Sequence, residues 1–464
     1  MKILSNVNSK YLKLFKNTFV FALGNIGSKL IVFLLVPLYT NFLTSEEYGA
    51  ADFVFTISQL FIPVVSLVIF DAVMRYGLQN REHPESTLQN GLIVWLAGSL
   101  IMLAIMPFVA MIDAVREWKW YLYLYVTSNI FLSVVLNYLK VKEKNLCYSL
   151  ICVVQTAVVA VLNIILIVYL HDGVRGYLLS NVAGAVAASL LAVIMGHVLA
   201  DLRKAVFDSK LFKQMLLFSA PLVFNNLAWW VIQSSDKVMI QHMVGLSALG
   251  LYTVATRIPS LINVVVSVFQ QAWGISSSIE MDTTNDTGFY GKVFEGYAAA
   301  VFLACLGLNS IVKPFMRIYV GAGFLDAWIM VPLLMVAAVY SAIAAFYGGM
   351  YGALEKSVNN MATTLLAGII NIGVNYICIL HIGAIGAVVG TVVSYIVMAL
   401  VRMIDVHRYI AISISWAKFS ANSLLVLLHA LLVMTDFHVY SVSFAALLVF
   451  LLINRDFFKM IRQR

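Results

Sequence analysis

The sequence predicts an all-α integral membrane protein of about fourteen transmembrane helices, arranged as two pseudo-symmetric six-helix lobes plus two C-terminal helices. Three observations carry this. The 464 residues are 62% hydrophobic and only 11% charged, with mean hydropathy +0.92, whereas soluble domains carry roughly 25% charged residues. Apolar runs long enough to cross a ~30 Å hydrocarbon core recur along the whole chain. The lysines and arginines are distributed unevenly between alternate connections.

The runs fall at 18–42, 48–71, 88–110, 119–139, 146–169, 176–199, 214–241, 248–273, 292–318, 327–349, 359–380, 384–404, 416–434 and 438–453. The first is read as a retained helix, because it is longer than a signal sequence core. An even number places both termini on one side. With that side cytoplasmic, Lys and Arg number 22 inside against five outside; Arg402 and Arg408 are counted with the inner connections. The positive-inside rule therefore sets the orientation. The net charge of +8 is used on topology, which removes a nucleic-acid reading. Cys147, Cys152, Cys305 and Cys378 show no CxxC spacing and read as small core residues.

The chain repeats itself. "LHDGVRG" at 170–176 and "LHIGAIG" at 380–386 share the pattern LHxGxxG and lie in tight turns between apolar runs. "LTSEEYG" at 43–49 and "VGLSALG" at 244–250 form a second echo. The spacing predicts a parallel duplication, with an N-lobe at 1–199, a cytoplasmic linker at 200–213, a C-lobe at 214–410, and two further helices with a basic tail at 411–464. Duplicated transporters place the substrate between their repeats.

Polar residues inside the runs are the candidate functional groups. Lys29, in "NIGSKLIVFLL", stands near mid-bilayer with Asn25 one turn earlier. A cation at that depth costs about 2.5–3.5 kcal/mol on insertion scales, so it needs an anionic partner: a carboxylate or carbonyl of the protein, or an anionic substrate. Arg257, in "LYTVATRIP", is too deep in its run for easy snorkelling. Its guanidinium suits a phosphate, although a structural bridge to Asp236 would also satisfy it. Asn225, Trp229, Gln233 and Asp236 share one helical face; so do Asn360, Thr364, Asn371 and Asn375. Each stripe lines a wet cavity or bonds helix to helix. Asp71 and Arg75, spaced i,i+4, are expected to pair with each other or to latch a gate. Asp52 is a proton or cation candidate, or an interfacial residue. No HExxH, GxSxG or Walker sequence occurs. The chain therefore reads as a non-enzyme needing no cofactor or metal, driven by an ion or substrate gradient.

The segments "NIGSKLIVFLLVPLYTNFLTSEEYGAADFVFT", "FDAVMRYG", "FSAPLVFNNLAWWVIQSSDKVMI", "LGLYTVATRIPSLINVVVSVFQQAW" and "GALEKSVNNMATTLLAGIINIGVNYICIL" resemble the polysaccharide-transporter family. These are the O-antigen and capsule repeat-unit flippases of the multidrug/oligosaccharidyl-lipid/polysaccharide exporter superfamily. The resemblance implies a MATE-like, two-lobed, V-shaped fold in a bacterial inner membrane, working by alternating access. The implied cargo is an undecaprenyl-diphosphate-linked oligosaccharide, an O-antigen or similar unit of lipopolysaccharide or capsule, moved from the cytoplasmic to the periplasmic leaflet. It also implies membrane lipids, a polysaccharide polymerase and a chain-length regulator as partners. Lys29 and Arg257 match the basic cavity positions of the family. A multidrug or cation exporter, a lipid II flippase and a non-transporting scaffold are the competing readings.

Overall fold

The computed structural model describes residues 31–79, 83–283, 287–410 and 412–455, and among these there is no strand. The helices are α1 Ile31–Phe42, α2 Ser45–Ser66, α3 Ile69–Gln79, α4 Glu85–Val109, α5 Asp113–Arg116, α6 Lys119–Val141, α7 Asn145–Asn163, α8 Gly173–Gly196 and α9 Val198–Leu202, then α10 Ser209–Met243, α11 Leu246–Arg257, α12 Pro259–Thr283, α13 Thr287–Tyr319, α14 Val331–Ala353, α15 Ser357–Ile382, α16 Ala384–His407, α17 Trp416–Met434 and α18 Val439–Ile453. Among the described residues eleven helical stretches are long and apolar enough to cross a membrane, or twelve with the bent pair α11–α12. The shorter apolar helices α1 and α18 stand at the first and last apolar runs. The fold is thus all-α and multi-pass, consistent with fourteen spans.

The chain divides into two compact units, Met1–Val231 and Ile232–Arg464, with the division inside α10. In the first unit, α6 and α7 pack on α8, and α3 and α4 pack on α6. In the second, α14 is buried on nearly all sides, against α12, α16 and α17. Both LHxGxxG turns have the same physical basis. Their first glycines, Gly173 and Gly383, adopt φ of +50° and +62°, which L side chains rarely tolerate. Their second glycines lie against the preceding helix. A Cβ on Gly176 would sit 3.0 Å from the Leu166 Cβ, and one on Gly386 would sit 2.3 Å from the Cys378 carbonyl carbon. In the first echo, "LTSEEYG", Thr44 and Glu47 form a capping box: Glu47 N donates to Thr44 Oγ1 at 3.2 Å and Thr44 N to Glu47 Oε2 at 2.8 Å.

The apolar runs at 48–71 and 248–273 are not single helices. The run at 48–71 breaks at Leu67 and Val68, both left-handed at φ of +50° and +53°, and α3 begins just after. Val68 N donates to Ser66 Oγ at 3.1 Å. Gly98 of α4 lies so close that a Cβ there would meet the Val65 carbonyl oxygen at 2.2 Å. The run at 248–273 bends by 43° between α11 and α12, where Pro259 has no N–H to continue the helix.

Candidate functional site

A buried polar cluster in the second unit surrounds Asp236. This side chain lies on α10 and is 8% exposed. Its Oδ2 accepts from the Tyr252 hydroxyl of α11, and its Oδ1 accepts from Lys237 N at 2.8 Å. Among the described residues no Lys or Arg side-chain nitrogen comes within 4.0 Å of the carboxylate. Next to it, Ser235 Oγ donates to Asn371 Oδ1 at 3.1 Å, Asn375 Nδ2 donates to the same oxygen at 3.0 Å, and Asn371 Nδ2 donates to Ser394 Oγ at 3.3 Å. The Asn375 Oδ1 atom is buried with no donor on it, pressed against Gly390, where a Cβ would fall 1.9 Å away. A buried carboxylate beside buried amide oxygens forms an oxygen-rich environment suited to a proton or a small cation.

The α15 stripe bonds helix to helix. Asn371 and Asn375 bridge α10, α15 and α16, while Thr364 and the Asn360 carbonyl accept from Arg402 at 2.8 and 3.3 Å. On α10, Asn225, Trp229 and Gln233 are exposed, whereas Asp236 on the same face is buried. The possible bridge from Arg257 to Asp236 is not made; Tyr252 occupies the carboxylate instead. Arg257 is half-buried at the C-terminus of α11, where the α11–α12 span breaks. It thus stands beside backbone freed from regular helix, as ligand-binding groups of discontinuous membrane helices do. Lys29 and Asn25 lie outside the described residues.

In the first unit, Asp52 is buried on α2, one turn from the buried Tyr48. Tyr48 stacks on Tyr39 at 5.7 Å, and Asn163 Nδ2 donates to the Tyr39 hydroxyl at 2.9 Å. The expected pairing of Asp71 with Arg75 is corrected by the structure. Arg75 lies over the Phe218 ring, 4.2 Å from its centroid, and makes no ion pair with Asp71. Both stand on α3, with Asp71 in its first turn, where the helix dipole favours a carboxylate, while the Arg75 guanidinium is drawn across onto the Phe218 ring of α10.

Arg402, counted on sequence with the cytoplasmic connections, is instead buried within α16, at 5% exposure. Its Nε donates to Thr363 Oγ1 at 3.0 Å and its Nη1 to the Ala344 carbonyl at 2.8 Å. The signal available was its place inside the run 384–404. Tyr252 and Ser394 carried no signal, since a tyrosine and a serine in apolar runs are unremarkable until a carboxylate or amide is brought to them.

The model of the family "Polysaccharide biosynthesis protein" matches residues 14–273, more than half of the chain. A protein of the Lsg locus of Haemophilus influenzae is 24% identical over 278 residues, which is 56% of this chain and 65% of that protein. An uncharacterized membrane protein of the same organism is 24% identical over 277 residues, 56% of this chain and 64% of its own length. The chain therefore spans just under two thirds of the length of these relatives. Among solved structures, the lipid II flippase MurJ in an inward closed conformation aligns with TM-score 0.70 at 14% identity, covering 96% of this chain and 99% of MurJ. An inward-facing multidrug resistance MATE family transporter of the MOP superfamily aligns with TM-score 0.67 at 17% identity, covering 84% and 94%. At these identities the likeness is one of fold. The sequence match over residues 14–273 makes the chain a member of the polysaccharide biosynthesis protein family, with a fold like that of MurJ and the MATE transporter.

Proposed function

We propose that this protein is a flippase for a lipid-linked oligosaccharide, an undecaprenyl-diphosphate-linked repeat unit of O-antigen or a similar surface glycan. It carries the unit from the cytoplasmic to the periplasmic leaflet of the inner membrane by alternating access, with both termini cytoplasmic. The observation that carries this reading is Arg257 at the break of a bent membrane span. A fixed, planar cation beside irregular backbone is suited to a diphosphate. Lys29 supplies the second cation in the first apolar run, with Asn25, Asn225 and Gln233 as polar contacts for the sugar. Asp236 and Asp52, both buried, are the groups for coupling to a proton or cation; Asp71 and Arg75 belong to a gate at the α2–α3 break. A polymerase and a chain-length regulator act on the delivered unit.

The buried carboxylates also favour a second reading, export of a cationic compound by the same fold. The sidedness of the lipid-linked oligosaccharide in cells lacking the gene separates the two. Accumulation on the cytoplasmic face, with loss of surface glycan and rescue by wild type but not by Lys29→Ala or Arg257→Ala, supports the flippase. Unchanged glycan with altered drug tolerance supports the exporter.

A further inference from the structure

A groove of about 530 Å³ runs between α15 and α16 at the end where α15 begins and α16 terminates. Its walls are apolar and face outward: Val358, Leu366 and Ile404 are exposed, and Val401 lines the floor. In a multi-pass membrane protein such a surface meets acyl chains. Its end is charged. Arg408, with an exposed side chain, stands just past α16. Lys356, just before α15, lies over the Tyr409 ring at 5.2 Å, and the Tyr409 hydroxyl accepts from Asn359 of the groove wall at 3.3 Å.

A second, independent feature lies behind the wall. Thr363 lines the groove and also accepts from Nε of the buried Arg402. Every acceptor of Arg402 is neutral: two threonine hydroxyls and two backbone carbonyls. Gly348 leaves the room for this, since a Cβ there would stand 2.8 Å from Nη1. Among the described residues no carboxylate lies within 4.0 Å of the guanidinium. A buried cation without a counter-charge is costly, and its field falls on the groove. Asp405 is the acid on the rim, and it is already engaged. Its Oδ2 accepts from the Tyr351 hydroxyl and Asn359 Nδ2, each at 2.8 Å, and Arg408 stands 3.7 Å from Oδ1. Glu355, in the turn before Lys356, forms no ion pair among the described residues. Three cations thus share this end with two carboxylates, and the one that lines the groove, Asp405, is already hydrogen-bonded.

We propose that this groove holds an anionic glycerophospholipid of the bilayer as a resident ligand. One acyl chain lies between α15 and α16, and the phosphodiester sits against Arg408 and Lys356, where it also offsets Arg402. The position favours a bilayer lipid over the transported carrier: Lys356 and Arg408 bracket the ends of two spans, at headgroup level. The site does not depend on the transport reading, since a chain that flipped nothing would hold the lipid equally.

The test is native mass spectrometry of the purified full-length chain with dioleoylphosphatidylglycerol or dioleoylphosphatidylcholine. The wild type should retain the phosphatidylglycerol about fivefold better, the effect of one basic residue on an anionic lipid. Arg408→Ala should remove that preference and leave phosphatidylcholine unchanged. Leu366→Trp, which fills the groove from its outer face, should lower phosphatidylglycerol retention with the protein still monodisperse. Equal retention of both lipids by the wild type, or full preference in both variants, overturns the proposal. So does displacement of phosphatidylglycerol by equimolar undecaprenyl phosphate from the wild type but not from Arg408→Ala, which would give the groove to the carrier lipid.

Discussion

Each unit interrupts an early membrane helix, but at a different depth and by a different device. In the first unit the break comes 22 residues into the span, after α2, and uses two consecutive left-handed residues, Leu67 and Val68. In the second it comes 12 residues in, after α11, and uses Pro259. Left-handed backbone costs roughly 1–2 kcal/mol for a non-glycine residue. The first break therefore persists only because surrounding packing holds it, through Ser66 Oγ and the close approach of Gly98. The second is written into covalent structure and needs no such support. It leaves Arg257 deep in its span, whereas the first redirects Asp71 and Arg75 at a helix end.

The largest expected effect breaks the first arrangement. Gly98→Val puts a branched side chain where even a Cβ meets a backbone oxygen at 2.2 Å, and overpacking of this kind costs about 1–3 kcal/mol. Thermal unfolding in detergent should show a clear loss for Gly98→Val. Gly373→Ala, with nothing within 4 Å of its added methyl, should show none. Next, Arg257→Ala should leave the protein folded and lower the flipping rate about tenfold, the worth of one charge-assisted hydrogen bond of about 1.5 kcal/mol. Wild-type rates from that variant in a leaflet-sidedness assay would remove Arg257 from the site. A smaller gain should come from Leu67→Gly. Relief at φ +50° outweighs the added chain entropy of glycine and should raise stability by about 0.5–1 kcal/mol. A fall in melting temperature would mean that the left-handed turn is not strained.

The smallest effect concerns a second matched pair. Each unit donates a tyrosine hydroxyl to a carboxylate near the end of its sixth long span: Tyr138 to Asp201 at 2.9 Å in the first, Tyr351 to Asp405 at 2.8 Å in the second. The first pair adds Lys142 at 2.6 Å, the second the amide of Asn359. Partial burial alone would raise the Asp201 carboxyl, but the hydrogen bonds from Lys142 and Tyr138 outweigh it and hold the group below its ordinary value. Its stabilisation is therefore complete above the unfolded value of about 3.9 and disappears as pH falls through the lowered folded value. Lys142→Met should flatten the acid limb of a stability–pH curve. An unchanged acid limb would show that the pair contributes nothing.

The bend at Pro259 falls inside a run that reads from sequence as one span. The membrane class and the order of the apolar runs were legible in the sequence, because hydropathy and charge asymmetry act over a few neighbouring residues. The LHxGxxG echo belongs here too, because positive φ and close packing both select glycine. The fate of single polar groups was settled by packing between distant helices. Leu67 and Val68 look like uninterrupted helix until Gly98 presses on Val65. Asn371 shares its face with Asn360 and Thr364 whether it lines a cavity or joins helices, and only the arrival of Ser235 and Ser394 makes it a joint. Arg402 reads as one more cytoplasmic charge until Thr363, Thr364 and two carbonyls close around it. Partners of buried polar groups come from helices far away in sequence, so no local pattern encodes them.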